Sequence, residues 1–168
     1  MKMPINLMSW IEENREHLKP PVGNKKIYED QEFMIFVVGG PNARKDYHID
    51  PVEEFFFQIE GDMTLKIVDD GEFKDITIRA GEIFLLPAYV PHSPQRPADT
   101  VGLVIEYKRP EGANDGLRWY CEECGEILHE AEFPLTDIVT QLRAAIQGFM
   151  SSDELRVCKH CGAKMEFD

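Results

Sequence analysis

Two stretches decide the reading: HIDPVEEFFFQIEG at residues 48–61 and GEIFLLPAYVPH at residues 81–92. The first sets a carboxylate, Glu54, six residues after His48 and ends on a turn glycine, Gly61. The second delivers another imidazole, His92, from the end of a separate apolar run. Two imidazoles and one carboxylate, with no cysteine, form the ligand set that binds Fe(II) on one face and leaves three adjacent positions open for substrate and O2. Singly, each has a plainer reading, a satisfied structural histidine or an exposed strand glutamate. The glycine and proline framing of all three is what favours the metal.

Around these stretches the chain alternates short β-rich runs with turn residues: 33–38, 53–59, 63–68, 73–79, 83–86 and 101–107. Met63, Leu65 and Ile67 alternate with Thr64, Lys66 and Val68, and Asp69-Asp70-Gly71 between two such runs is a hairpin signal. So many strands within about 80 residues predict a sandwich or barrel. Upstream, Leu7, Trp10, Ile11 and Leu18 recur on one face of an amphipathic helix over Asn6 to Leu18, ended by Lys19-Pro20-Pro21-Val22-Gly23-Asn24.

Downstream of Lys108-Arg109-Pro110-Glu111-Gly112 the pattern changes. Cys121-Glu-Glu-Cys124 and Cys158-Lys-His-Cys161, each followed by glycine, supply four thiolates to one tetrahedral metal. Two disulfides are the alternative, disfavoured where a cytosolic setting keeps thiols reduced. Between the pairs, Ile138, Val139, Leu142, Ile146 and Phe149 follow a helical period within Leu135 to Met150. The division expected is 1–112, the helix and the β-rich unit, and 113–168, a metal-binding extension. Too short for a comfortable core of its own, the extension can draw on the order of 10 kcal/mol of folding free energy from its metal.

Composition bounds the function. The 168 residues are 43% hydrophobic, enough for a core, and carry 18 Lys plus Arg against 31 Asp plus Glu, a net charge of −13. Such a chain repels phosphate backbones and anionic lipid, which argues against nucleic acid and membrane partners. No apolar run reaches the roughly 18 residues of a membrane span, and the N-terminal stretch is charged where a signal peptide has its apolar core. A soluble cytoplasmic protein is the expectation.

The two quoted stretches resemble the paired signature motifs of the cupin superfamily, which implies a mainly β fold: a double-stranded β-helix, or jelly-roll, barrel holding one metal in its mouth. The motif spacing selects Glu54, and strand parity puts Glu53 on the opposite face with Phe55 and Phe57. Asp50 stands where many cupins have a second histidine, and Ala88-Tyr89 replaces a glycine-containing turn. Three ligands rather than four favour an open, oxygen-activating site, with Asp50 kept as a further candidate ligand.

Arg44 lies four residues before His48 and Arg96 four after His92, so in extended chain each guanidinium points to the side of its metal ligand. Two cations flanking one metal in an acidic protein suit an anionic substrate, since guanidinium matches a carboxylate in a planar fork. The alternative is a pair of surface arginines bound to nearby acids. Glu106, in an apolar strand, needs a partner if buried, either an arginine or a substrate amino group, and is otherwise a solvent-facing strand end. His17 suits the end of the first helix, while His129 and His160 lie near cysteines that already complete a tetrahedron.

The runs at 39–48, Glu53-Glu54-Phe55-Phe56 and His92-Ser93-Pro94-Gln95-Arg96-Pro97, with Trp119-Tyr120-Cys121 and the second cysteine pair, resemble the 3-hydroxyanthranilate 3,4-dioxygenase family, in its bacterial form with a rubredoxin-like C-terminal site. The likeness runs from about Pro20 to Gly162. It implies catalytic Fe(II) on His48, Glu54 and His92, a second Fe or Zn on Cys121, Cys124, Cys158 and Cys161, and Arg44, Arg96 and Glu106 engaging substrate or O2. Glu54 would also take a substrate proton. The implied reaction cleaves 3-hydroxyanthranilate, a small anionic aromatic, to 2-amino-3-carboxymuconate semialdehyde, a precursor of quinolinate and NAD, and the implied assembly is a homodimer. Two other readings stand beside it: a cupin dioxygenase for another anionic phenol or thiol, and a non-catalytic metal-binding effector domain.

Overall fold

The computed structural model describes residues 3–20, 23–28, 32–134 and 138–167. Helix α1 (Leu7–Asn14) is capped by Asn6, whose side chain accepts from the Ser9 amide, and passes into a 3-10 turn, Arg15–Leu18. The strands follow: β1 (Asn24–Tyr28), β2 (Phe33–Gly39), β3 (Asp46–Ile49), β4 (Glu54–Glu60), β5 (Met63–Asp69), β6 (Glu72–Ile78), β7 (Ile83–Leu86), β8 (His92–Gln95), β9 (Val101–Tyr107), β10 (Asp115–Tyr120) and β11 (Ile127–Phe133). Helices α2 (Ile138–Ser151) and α3 (Asp153–Arg156) close the chain. Leu135, with which the expected second helix began, lies outside the described residues, as do Pro21 and Val22 of the segment expected to end the first.

All ladders are antiparallel and form two sheets, β1-β2-β9-β4-β7 and β11-β10-β3-β8-β5-β6. The mainly β barrel expected from the alternating runs, with its N-terminal helix and clustered cysteines, is the architecture observed. The β5–β6 turn falls on Asp70 and Gly71, both at positive φ, as a two-residue hairpin of right-handed twist requires. Alternation sets the layers. Phe56, Met63, Leu65, Ile67, Ile78, Leu86 and Val104 meet between the sheets, where truncating a residue such as Leu65 costs roughly 2–5 kcal/mol.

Two outer layers matter for the site. Ile11 and Leu18 of the N-terminal segment pack on Val37 and Val101, covering one end of the five-stranded sheet. The inner face of α2 packs through Phe149, Leu142 and Ile146 onto Leu117 and Trp119 of β10. Because β10 pairs with β3, the sheet runs on across residues 108–114, and the C-terminal stretch is fastened directly to a strand of the barrel.

Candidate active site

His48 and His92 are cross-strand partners on β3 and β8, both pointing inward. Glu54 opens β4 in the opposite sheet, with Phe56 and Gln58 also facing inward, while Glu53 is exposed. The three side chains, buried at 5%, 6% and 2% exposure for His48, Glu54 and His92, close on one point. Glu54 Oε1 lies 2.9 Å from His92 Nε2 and 3.6 Å from His48 Nδ1, within ion-pair distance of both rings. It is in hydrogen-bond geometry with neither.

The opposite nitrogens explain this. His92 Nδ1 sits 3.0 Å from the Val90 carbonyl, and His48 Nε2 sits 2.7 Å from Asp115 Oδ2, both acceptors. With the ring protons held there, His48 Nδ1, His92 Nε2 and Glu54 Oε1 present lone pairs to a common centre, which a cation fits. A proton is the substitute: burial opposes it, but Asp115 and Glu54 raise His48 to about 9. Burial likewise opposes the Glu54 charge, yet the two imidazoles hold its carboxyl well below the ordinary value.

The flanking cations divide. Arg44 is paired with Asp46, to which Nε and Nη2 both donate. Arg96, 4% exposed, donates Nη1 to Gln58 Oε1 at 3.0 Å, and its Nε has no partner. It forms no ion pair with a carboxylate among the described residues, and burial lowers it to about 10 with Glu54 pulling the other way. A buried guanidinium short of negative charge is a receptor for an anion.

Glu106 is buried at 3% exposure and pairs with an arginine, though with neither of those flanking the histidines: Arg109 Nη1 approaches Glu106 Oε2 at 2.9 Å. Asp50 is buried too, accepting from the Val52 amide and lying 2.8 Å from Arg109 Nη2. Burial first, then Glu106 and Glu54, raise Asp50 to about 9.

These groups surround a cavity of about 530 Å³, lined by Arg44, His48, Glu54, His92, Arg96 and Glu106, with Phe36, Phe56, Pro94 and Val104 as apolar walls. That volume suits a small aromatic. Of the residues singled out for the barrel site, Arg44, His48, Glu54, His92, Arg96 and Glu106 reach this cavity, whereas Asp50 is absent from its lining and lies against Arg109 instead. Two were missed: Arg109 and Asp115, whose nearest signal was a charged loop read as a boundary. The other omission was α2, whose Leu142, Arg143 and Ile146 form part of the cavity wall.

The cysteines gather at the far side of β10. Their Sγ atoms pair at 3.5 Å (Cys121–Cys161) and 3.6 Å (Cys124–Cys158), close to the ~3.8 Å edge of a tetrahedron with ~2.3 Å metal–sulfur bonds. No disulfide joins them. The two turns repeat each other: Gly125 N donates to Cys121 O and Gly162 N to Cys158 O, each at 2.9 Å, with φ of 76° and 78°. Backbone donors from Cys161 and His160 lower Cys158 to about 6. His129 instead stacks on Trp119.

The family model described as 3-hydroxyanthranilic acid dioxygenase matches residues 1–150. A protein of Jannaschia sp. named 3-hydroxyanthranilate 3,4-dioxygenase is 60% identical over 94% of this chain and 88% of its own. A Yarrowia lipolytica protein of the same name is 56% identical over 96% of this chain and 95% of its own. Among solved structures, protein NMB1881 of Neisseria meningitidis has a TM-score of 0.51 at 24% identity, covering 63% of this chain and all of that one. A cupin-2 domain containing protein of Shewanella frigidimarina gives 0.51 at 21%, covering 62% and 94%. These last two show the cupin fold.

Proposed function

From its membership of the 3-hydroxyanthranilic acid dioxygenase family, to which the chain belongs, we propose a division of labour between named residues in the ring cleavage of 3-hydroxyanthranilate. The enzyme is a dioxygenase for that substrate, a reading favoured over a different anionic phenol or a non-catalytic domain. His48 Nδ1, His92 Nε2 and Glu54 hold Fe(II). When bound, the metal supplies open coordination positions at which an ortho-aminophenol and O2 meet, and it relieves the spin mismatch that makes O2 sluggish.

The protein's own contribution is binding and orientation. Arg96 takes the substrate carboxylate, satisfying the Nε left without a partner. Arg44, steadied by Asp46, lines the route of substrate or O2. Glu106, held by Arg109, accepts from the substrate's amino or hydroxyl group. Glu54 removes the hydroxyl proton, and the walls of Phe36, Phe56 and Val104 exclude water from the ring. The product is 2-amino-3-carboxymuconate semialdehyde, the precursor of quinolinate. The observation that carries this assignment is the buried guanidinium of Arg96, with Nε lacking a hydrogen-bond partner and no ion pair to a carboxylate among the described residues, on the same cavity as the three converging metal ligands.

Residues 1–112 supply the metal ligands and substrate-binding groups of this site, with Asp115 behind His48 and α2 in the cavity wall, and 113–168 also hold the second metal, Fe or Zn, on the four thiolates. The homodimer reading draws on the outer face of the five-stranded sheet. Phe33, Ile83, Leu85 and Tyr107 are 45%, 66%, 53% and 44% exposed there, beside Phe55, Phe57 and Ile105. A second copy buries such a face by self-complementary packing. No described helix is long and apolar enough to cross a membrane, and the cytoplasm remains our proposed compartment.

The test is O2 uptake by anaerobically Fe(II)-loaded protein given 3-hydroxyanthranilate, with absorbance followed for the ring-opened product. Uptake of one O2 per substrate, with product, supports the assignment. Silence from protein shown to hold iron overturns it.

A further inference from the structure

Asp115 and Arg109 belong to no motif, yet they stand directly behind the barrel site. Asp115 opens β10 on the same inward face as Leu117, the cross-strand partner of His48, and is fully enclosed. Its Oδ2 lies 2.7 Å from His48 Nε2. The carboxylate is itself gripped by Arg109, which donates Nε to Oδ1 at 2.9 Å and Nη2 to Oδ2 at 2.7 Å. The other edge of that guanidinium meets Glu106 at 2.9 Å.

We propose that Asp115 is the positioning residue of His48, fixing its ring angle and placing its single proton on Nε2, and that Arg109 is the strut that holds Asp115 in place. The inference rests on reading His48, Glu54 and His92 as a metal site. A neutral imidazole carries one N–H. A carboxylate can only accept, so Asp115 draws that proton to Nε2 and leaves the Nδ1 lone pair facing Glu54. His92 receives the mirror-image treatment at Nδ1 from a neutral acceptor, the Val90 carbonyl. The two rings thus offer different nitrogens to one centre, and only their outer partners keep them so.

Without Asp115, the His48 proton is free to sit on Nδ1 and block the ligand position. The carboxylate also makes the imidazole a stronger donor to a metal. Arg109 adds a mechanical link. One guanidinium touches the group behind a metal ligand and the group on the substrate wall, so His48 and Glu106 keep a fixed separation.

Mn(II) is the probe, because hard ions bind imidazole and carboxylate and are held poorly by thiolates. Free Mn(II) is read by its six-line electron paramagnetic resonance signal as apo protein is titrated. Asp115→Ala is expected to weaken Mn(II) binding roughly 10- to 100-fold. Asp115→Asn, whose amide oxygen still accepts from Nε2–H, recovers most of the affinity. Nitrogen-15 NMR of the Zn(II)-loaded protein supplies the readout that a merely structural role would not move: the parent shows His48 protonated on Nε2, and the alanine variant loses that slowly exchanging proton. Should the alanine variant fail to fold, the asparagine variant carries both measurements against the parent, with a smaller loss of affinity and a shifted Nε2 proton expected. Unchanged Mn(II) affinity in the alanine variant, or in the asparagine variant with an unshifted Nε2 proton, overturns the proposal. So does a parent ring protonated on Nδ1. A parent that binds no Mn(II) overturns this inference together with the metal-site reading beneath it, and so separates the two failures.

Discussion

The four-cysteine centre takes its ligands from two turns, Cys121–Gly125 and Cys158–Gly162, that repeat each other hydrogen bond for hydrogen bond, whereas the barrel centre draws His48, Glu54 and His92 from three strands in two sheets. In the first, each pair of ligands is set by five residues of local chain, and Cys124 and Cys161 remain exposed. In the second, no ligand is more than 6% exposed, and Asp115, the Val90 carbonyl and Arg109 hold the ligands from behind. A closed set of four like ligands suits a metal that holds structure. An open set of three unlike ligands, with outer partners to orient them, suits one that does chemistry.

That contrast is sharpest if the two centres can be emptied separately. Replacing His92 with Ala, or Glu54 with Gln, removes a barrel ligand and leaves the thiolates untouched. The expected result is loss of one metal per chain by elemental analysis and a fall in turnover of roughly three orders of magnitude or more. A Glu54→Gln enzyme that kept both iron and turnover would break the comparison at its root.

Arg96→Ala tests what the open side is for. Losing a charged hydrogen bond worth about 2–3 kcal/mol predicts a fall in kcat/KM of roughly 30- to 150-fold, with both metals retained. An unchanged value would place the guanidinium outside the substrate's reach, and its missing Nε partner would need another explanation.

The closed centre is tested by Cys121→Ser. Losing its metal lowers the melting temperature and speeds amide exchange in α2 and β11. Because Leu142 and Ile146 of α2 also line the cavity, kcat/KM falls in turn, by about 5-fold, or roughly 1 kcal/mol. Turnover unchanged alongside faster exchange would mean that the two centres share a sheet but no energetics.

What could be read in advance follows the same division. The cysteine pairs and their glycines are local, so spacing alone assembled them. The runs 63–68 and 101–107 were legible because one face of each strand is buried and the other is not. Strands β3 and β8 were missed as strands because DYHI and HSPQ are short and polar, β8 even containing a proline; they exist because His48 and His92 pair across them. The triad emerged from its framing residues. Asp115 could not, because it lies 67 residues from the histidine it contacts and its loop reads as a linker. Likewise, the helical period of α2 announced an apolar face without saying which surface it covers.

Arg143 is the finest test of α2 as part of the site. It stands on an exposed position of that helix at the cavity wall, in a chain whose net charge of −13 repels an anionic substrate. Taking a separation of about 7 Å for illustration, one positive charge contributes about 0.6 kcal/mol in water, close to a 3-fold gain in encounter rate. With a screening length of about 8 Å at physiological salt, that shrinks to about 1.5-fold. Arg143→Gln should therefore lower kcat/KM about 3-fold at low salt and leave kcat alone, the difference fading as salt is added. If the loss is independent of salt, the side chain touches substrate directly, and α2 belongs to the binding site itself instead of to its approach.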